Sequence, residues 1–470
     1  MDHRKHSWRS TVRRWTHQFV RAAIARLPTA WRFALFRSMV SCDPAPDPRL
    51  QLKIADSQEE LEACFALLHD AYVGAGFMKP DPSGLRVTIY HALPTTTTLC
   101  AKVDGRVVGT LSLIRDGVFG FPMQSAFDLT QVRAMPGQIA EVSALAIHPE
   151  FRRTGGWILF PLLKFMYEYC TRYFDTRHLV IAVNPDKIEL YESLLFFRRL
   201  AAQPVDRYDF ANGAPAVGAT LDLQAAYAQF ERVYAGRGQR RDLFRYFVRT
   251  NLPNIRWPSR AYHTTNDPVL TPQLLDHFFN RRTRVFQSLD ARRKMLLRSI
   301  YDASSYEQVL PSVEAPGGIA LRRHPRFSVR CPAGLRLTAT GAAADSPMPL
   351  VVTEMSREGF RALSNAALPL EQRGRLDIEL GREVRSTIRC RILRVICAGP
   401  PSQYAFYVEE SDQAWLQCVL ALETGHTHAD LRVDTKGSGG RTPPDPSAPA
   451  RPSVRTVHSD PRAVEPLVVA

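Results

Sequence analysis

The sequence predicts an α/β mixed sheet with a helical extension, followed by a small all-β barrel. Three observations carry this. Apolar strand and helix patterns alternate from Leu50 to Asp222, aromatic pairs at helical spacing run on to Tyr301, and short alternating strands with turn signals occupy Ile319 to Leu422. A chain of 470 residues is also too long for one ordinary core.

The elements follow in order. Residues 1–48 read as a basic amphipathic arm: Trp8, Val12, Trp15, Phe19 and Ala23 recur at helical spacing, with Arg13, Arg14, His17 and Arg21 off that stripe. Residues 49–222 form the α/β domain. "LQLKIA" reads as a strand, and Ser57 caps a helix with an acidic first turn. Two strands then meet at Asp104-Gly105, a hairpin dipeptide. "AEVSALAIHP" is a strand and "TGGWILFPLLKFMYEYCTRYF" a helix that Pro161 kinks or shortens. "HLVIAVN", "KIELYESLLFF" and "AVGATLDL" complete a strand, a helix and a closing strand. Residues 223–301 read as a helical extension in which Thr271-Pro272 starts a long helix. Residues 302–318 are a linker, 319–422 the barrel, and 426–470 a Gly/Pro/Ser-rich tail expected to be disordered.

The net charge of +15 points to an acidic partner. Its location matters more than its sum. Nine Lys/Arg against Asp2 alone put +8 on the first forty residues. A basic helix with tryptophans suits an anionic membrane surface, and packing on its own domain fits the pattern equally. The eight cysteines show no C-x-x-C spacing, which reads as reduced thiols of a cytoplasmic protein and not as a zinc or disulfide framework. No apolar stretch is long enough to span a membrane, and no arginine-free apolar segment at the N-terminus reads as a secretory signal. No recognition-helix or RNA-binding motif accompanies the arginines, which argues against a nucleic-acid partner.

Two constellations carry chemistry. The first is the turn Arg152-Arg153-Thr154-Gly155-Gly156 between a strand and a helix, where backbone N–H groups and the helix dipole favour an anion such as a phosphate. This turn resembles the GNAT superfamily of acetyltransferases, whose Arg/Gln-x-x-Gly-x-Gly/Ala motif it matches at Arg152 and Gly155 and departs from at Trp157. Asn184, Tyr191 and Phe196-Phe197 resemble that superfamily's Asn…Tyr…Gly-Phe motif without its glycine. "AEVSALAIHPEFRR" is similar to a strand shared by autoinducer synthases and long-chain N-acyl amino acid synthases. "NGAPAVGATLDL" and "DPVLTPQLLDHFF" look like the second group.

The resemblance covers roughly residues 50–300 and implies an acetyltransferase-like sheet. It also implies a fatty acyl thioester donor, on acyl carrier protein or coenzyme A, and an amino-acid amine as acceptor. An ammonium must lose a proton before it attacks, so Glu141 at its buried strand is the candidate base. Backbone N–H groups from Leu145 to Ile147 are candidates to polarise the thioester carbonyl, and Tyr191 to protonate the leaving thiolate. Arg152, Arg153, Thr154, Gly155, Gly156 and Asn184 are the candidate contacts for the donor's phosphopantetheine arm. No metal is required. Against these stand plainer readings: Glu141 paired with an arginine, and Tyr191 as a core tyrosine.

The second constellation begins at "LRRHPRFSVRC", where Arg322 and Arg326 are spaced R-x-x-x-R with Arg323 between them. "VVTEMSREGFRA" follows, with Glu354, Ser356 and Gly359 spaced E-x-S-x-x-G. The pair resembles the PilZ domain, whose R-x-x-x-R and Asp/Asn-x-Ser-x-x-Gly motifs bind cyclic di-GMP, with Glu354 as the departure. The whole chain then reads as a cytoplasmic N-acyltransferase, peripheral at the inner face of the membrane, with acyl carrier protein and cyclic di-GMP as partners. Trp157 and the glycine missing before Phe196 leave a second reading open: a non-catalytic cyclic di-GMP effector on a degenerate acetyltransferase fold.

Overall fold

The computed structural model describes residues 26–152, 154–267, 270–301, 304–313, 324–338 and 346–427. The arm before residue 26, Arg153, Arg322, Arg323 and the tail from residue 428 lie outside them.

The first body is an eight-stranded mixed sheet in the order β1 (Leu50–Ile54), β2 (Thr96–Val103), β3 (Arg106–Arg115), β4 (Gln138–Ile147), β5 (Thr176–Val183), β8 (Ala214–Asp222), β6 (Arg198–Arg199), with β7 (Val205–Tyr208) also pairing β8. All pairs are antiparallel except β4 with β5. Local chemistry sets the turns. Asp104 and Gly105 both take positive φ, 51° and 81°, as a two-residue hairpin turn demands. Ser57 accepts a hydrogen bond from Glu60 N at 3.3 Å and starts α2 (Gln58–Gly74).

Alternation along β2, and a bulge in β4 after Ser143, send side chains to two cores. Leu99, Ala101 and Ala140 pack with α3 (Leu159–Phe174) and α5 (Leu223–Tyr234) on one face, whereas Cys100, Ala144 and Ala146 pack with α2 and the extension on the other. A short helix, α1 (Thr29–Ser38), lies against α4 (Ile188–Leu195), where Arg32 pairs with Glu189 at 2.7 Å.

Two expected helices differ. The helix expected from Thr154 begins only at Leu159. Gly155 and Gly156, at φ 69° and 89°, are left-handed and cannot be helical, and Pro161 then falls in the first turn, where its missing N–H is no loss. The long helix expected from Thr271 is broken into Pro272–Leu275, a π-wound stretch Asp276–Arg282, and α6 (Ala291–Arg298). Thr283 turns extended (φ −128°, ψ 173°), its hydroxyl bonds back to Phe278 O at 2.6 Å, and Asp290 caps α6. Thr271 does cap its short helix, accepting from Leu274 N, with Pro272 at the first helical position.

The second body is a closed six-stranded antiparallel barrel in the order β10 (Met348–Met355), β11 (Gly359–Ser364), β14 (Ser402–Glu410), β13 (Val384–Cys397), β12 (Arg373–Gly381), β9 (Phe327–Leu337). Closure leaves no edge to aggregate. Fully buried Trp415 of α7 (Gln413–Thr424) joins the barrel core, and Glu423 anchors the helix to Arg357.

A strap, Arg260–Asp267, ties the bodies together. Its His263 N donates to Leu380 O at 2.8 Å and Arg330 N donates back to His263 O at 2.9 Å. At its other end, half-buried Asp267 accepts from Tyr169 Oη at 2.6 Å and Arg260 Nη2 at 2.9 Å. All eight cysteines are free thiols, and seven are buried.

Candidate active site and nucleotide cleft

The parallel pairing of β4 with β5 runs from Gln138 to Glu141 opposite Val180, and no pair follows. Just beyond, β4 bulges. Thr110 faces Ala146 and Ser112 faces Ser143, so Ala144 and Leu145 together oppose one residue of β3, and Ala144 takes a positive φ of 53°. The bulge and the divergence open a cavity of about 260 Å³.

Glu141 lines it at 2% exposure. Among the described residues its hydrogen bond is from Met123 N to Oε2, at 3.0 Å, and no cation pairs with it. The arginine partner of the plainer reading is therefore absent from the described residues. Burial drives its pKa from 4.5 up to about 8, against the small opposing pull of the Met123 N–H. A fraction of such a carboxyl is ionised near neutral pH, and that ionised form is a stronger base than an ordinary carboxylate.

Tyr191 lines the same cavity, with its ring edge-on to Phe197 at 6.0 Å. Burial raises its pKa, so it remains a phenol able to donate a proton. Leu145 and Asn184 are also on the wall, and Asn184 Oδ1 accepts from Asp186 N at 2.8 Å. Leu163 of α3 is shared with a second, almost wholly apolar cavity of about 70 Å³ that includes Ala226, Phe230 and Phe247.

The glycine turn is not part of this cavity. Thr154, Gly155 and Gly156 line a separate recess of about 230 Å³ with Trp157, Asp43 and Arg240. The recess and the cavity touch α3 at Pro161 and Leu163, about 3 Å apart along the helix axis. Gly156 is required twice over: its φ is 89°, and an added Cβ would stand 2.4 Å from the Phe160 ring. Arg152 caps the strand end, donating from Nε to Ile147 O at 2.7 Å, and Thr154 Oγ1 donates to Phe151 O at 2.8 Å. Ile147 itself is not on the cavity wall. Trp157 packs 5.5 Å from the Phe151 ring and against the core.

In the barrel, Glu354 sits at a bulge of β10, with Oε1 3.0 Å from Arg361 Nη1 and Oε2 3.7 Å from Arg326 Nη1. Arg326 and Glu354 line a cleft of about 560 Å³. Ser356 and Gly359 do not join them. Ser356 is 6% exposed and its hydroxyl donates to Gly359 O at 3.0 Å, closing the β10–β11 turn. Gly359 is there for packing, because a Cβ would stand 2.8 Å from Phe406 O on β14. Arg322, Arg323 and Arg153 lie outside the described residues.

Sequence reasoning missed several partners. Met123 reaches Glu141 from eighteen residues away through a loop, with no motif to mark it. Tyr72 and Tyr208 line the Glu141 cavity, and Tyr208 Oη is buried without a hydrogen-bond partner among the described residues. Arg361 was within reach of inspection, two residues after Gly359 on the same strand face.

Residues 63–222 match the family model described as N-acyl amino acid synthase FeeM. No curated protein matches. Among solved structures, the chain is similar to FeeM, an N-acyl amino acid synthase from uncultured soil microbes, at 24% identity over 39% of this chain and 96% of that one, TM-score 0.33. It is also similar to BjaI, a CoA-dependent acyl-homoserine lactone synthase, at 21% over 44% and 92%, TM-score 0.32. A third is the acyl-homoserine lactone synthase LasI, at 16% over 38% and 93%, TM-score 0.31. The residues matched by that family model hold the Glu141 cavity. The barrel lies outside the match.

Proposed function

We propose that the chain is an N-acyltransferase that moves a fatty acyl group from a phosphopantetheine thioester, on acyl carrier protein or coenzyme A, to the amine of an amino acid. The observation that carries this is a buried Glu141, with no paired cation among the described residues, in a cavity that adjoins an apolar one. Glu141 accepts the ammonium proton, the free amine attacks the thioester carbon, and the C–S bond breaks as the C–N bond forms. Tyr191 supplies the proton to the departing thiolate and is reprotonated by the second proton that the attacking nitrogen sheds as it becomes the amide. The acyl chain lies toward Leu163 and Ala226. The phosphate end of the donor belongs near the turn at Thr154–Gly156, and supply of either thioester to the purified protein identifies the carrier. Lipid mass spectrometry of cells expressing the chain tests the reading: N-acyl amino acids are expected, and their absence with folded protein present rejects it.

The barrel supports binding of cyclic di-GMP, with Arg326 as a phosphate contact. Losing one partner of a charged hydrogen-bonded contact typically costs about 2–5 kcal/mol. Arg326→Ala in the full chain is thus expected to weaken binding by at least about tenfold in calorimetry. Unchanged affinity removes Arg326 from the site.

The amino-terminal segment fits an anionic membrane surface. Trp31 in α1 and Met39 just after it are 71% and 72% exposed, and the first forty residues hold nine Lys/Arg. Full-length protein is expected to float with phosphatidylglycerol vesicles in low salt and Δ1–40 protein to stay behind. Equal recovery of both excludes the arm as anchor.

A further inference from the structure

The cleft at Arg326 does not belong to the barrel alone. Its walls come from three places: the sheet, at Thr95 before β2 and Asp116 to Val118 after β3; the extension, at Asn266 and Ser299; and the barrel, at Arg326 and Glu354. At about 560 Å³ it falls within the usual size of ligand sites. Its surfaces suit a nucleotide. The Arg326 fork serves phosphate, and the apolar walls at Val118 and Ile300 serve planar rings.

One feature of nucleotide recognition is supplied from the sheet. A guanine edge offers two adjacent N–H donors and calls for a carboxylate. Glu354 holds one oxygen against Arg361 and the other toward Arg326. Asp116 presents another carboxylate to the cleft, steadied from behind by Arg133 at 3.0 Å.

The same segment reaches the acyltransfer site. Thr96, Ile114 and Glu141 lie in one row across β2, β3 and β4, so the cleft opens at the end of the sheet just beyond the row that carries Glu141. The loop leaving the cleft wall at Val118 arrives five residues later at Met123, whose N–H holds the Glu141 carboxylate. One loop thus has an end in each site.

We propose that cyclic di-GMP binds in this composite cleft, with the acyltransferase sheet as one wall, and that occupancy is relayed to Glu141 through residues 116–123. This rests on the reading that the chain binds cyclic di-GMP. The test uses the full-length protein. Val118 is 48% exposed, so Val118→Trp fills the cleft without entering a core. By calorimetry with cyclic di-GMP, Val118→Trp is expected to lose about tenfold or more in affinity, through a clash and not a lost contact. Val118→Ala is expected to stay within about threefold of wild type, since the two carbons it removes belong to a side chain that is already half exposed.

Hydrogen exchange on the wild-type chain gives a readout that does not depend on the variants. Nucleotide is expected to slow exchange at 93–96 and 116–123 as well as in the barrel. Wild-type affinity in Val118→Trp, or slowed exchange confined to residues 324–410, overturns the composite cleft while Arg326→Ala still reports a barrel site. If the wild type binds no cyclic di-GMP by either method, the nucleotide reading itself falls and this inference with it, whatever the acyltransfer assay shows.

Discussion

Glu141→Gln is expected to lower kcat/KM for amide formation by about 10²–10⁴-fold, the usual range for loss of a positioned acid–base group. The substitution is conservative in structure. The amide oxygen still accepts the Met123 N–H, and the side-chain volume is unchanged. What disappears is the proton acceptor. The pH profile separates this from general damage. A base must be unprotonated to act, so wild-type activity rises with pH through about 8, where burial holds Glu141. That limb is absent from the variant.

Stability moves in the opposite sense. The folded-state pKa lies above the unfolded value, so the protonated carboxyl's contribution is fully present below the unfolded pKa and is lost as pH rises through about 8. Relative to wild type, Glu141→Gln therefore gains stability across that window, on the order of 3–5 kcal/mol by linkage. A wild-type rate in the variant, or a variant whose pH limb persists, removes Glu141 from the chemistry.

Ala226→Phe is expected to change which acyl chains react. Ala226 is 6% exposed on α5 and lines the apolar cavity beside Leu163 and Phe247. A phenyl ring there takes the volume proposed for the end of the chain. Each buried methylene contributes about 0.8 kcal/mol, so excluding three costs about 2.4 kcal/mol. The preference in kcat/KM for long over short acyl donors then falls about 50-fold. The ratio is internal to one preparation, so an overpacking penalty of about 1–3 kcal/mol on folding does not alter it. An unchanged ratio means that the chain lies elsewhere.

How far the sequence could be read depended on the range of the interaction. Ser57, Asp104-Gly105 and Thr271-Pro272 act within four residues, and each does in the structure what its chemistry requires. The strand holding Glu141 was legible because its apolar pattern is local. Its isolation from any cation among the described residues was not, since that depends on what α2, β7 and the Met123 loop bring from elsewhere. The glycine turn was found by motif, yet its separation from the Glu141 cavity follows from where α3 begins, which Gly155, Gly156 and Pro161 fix together. In the barrel, the motif spacing picked out Ser356 and Gly359, and both prove to build the β10–β11 turn instead of the cleft wall. Spacing identifies which residues share a turn. It does not say which way a hydroxyl points when a carbonyl three residues on will accept it.

The central claim is that this chain makes an amide from a fatty acyl thioester and an amino acid. Lipid extracts from bacteria expressing wild type and Glu141→Gln at equal levels, compared by high-resolution mass spectrometry, test it most directly. The expected result is a series of ions, each the mass of a fatty acid plus an amino acid less one water, present with wild type and absent with Glu141→Gln. No such series with folded wild-type protein, or the same series from both strains, contradicts the account.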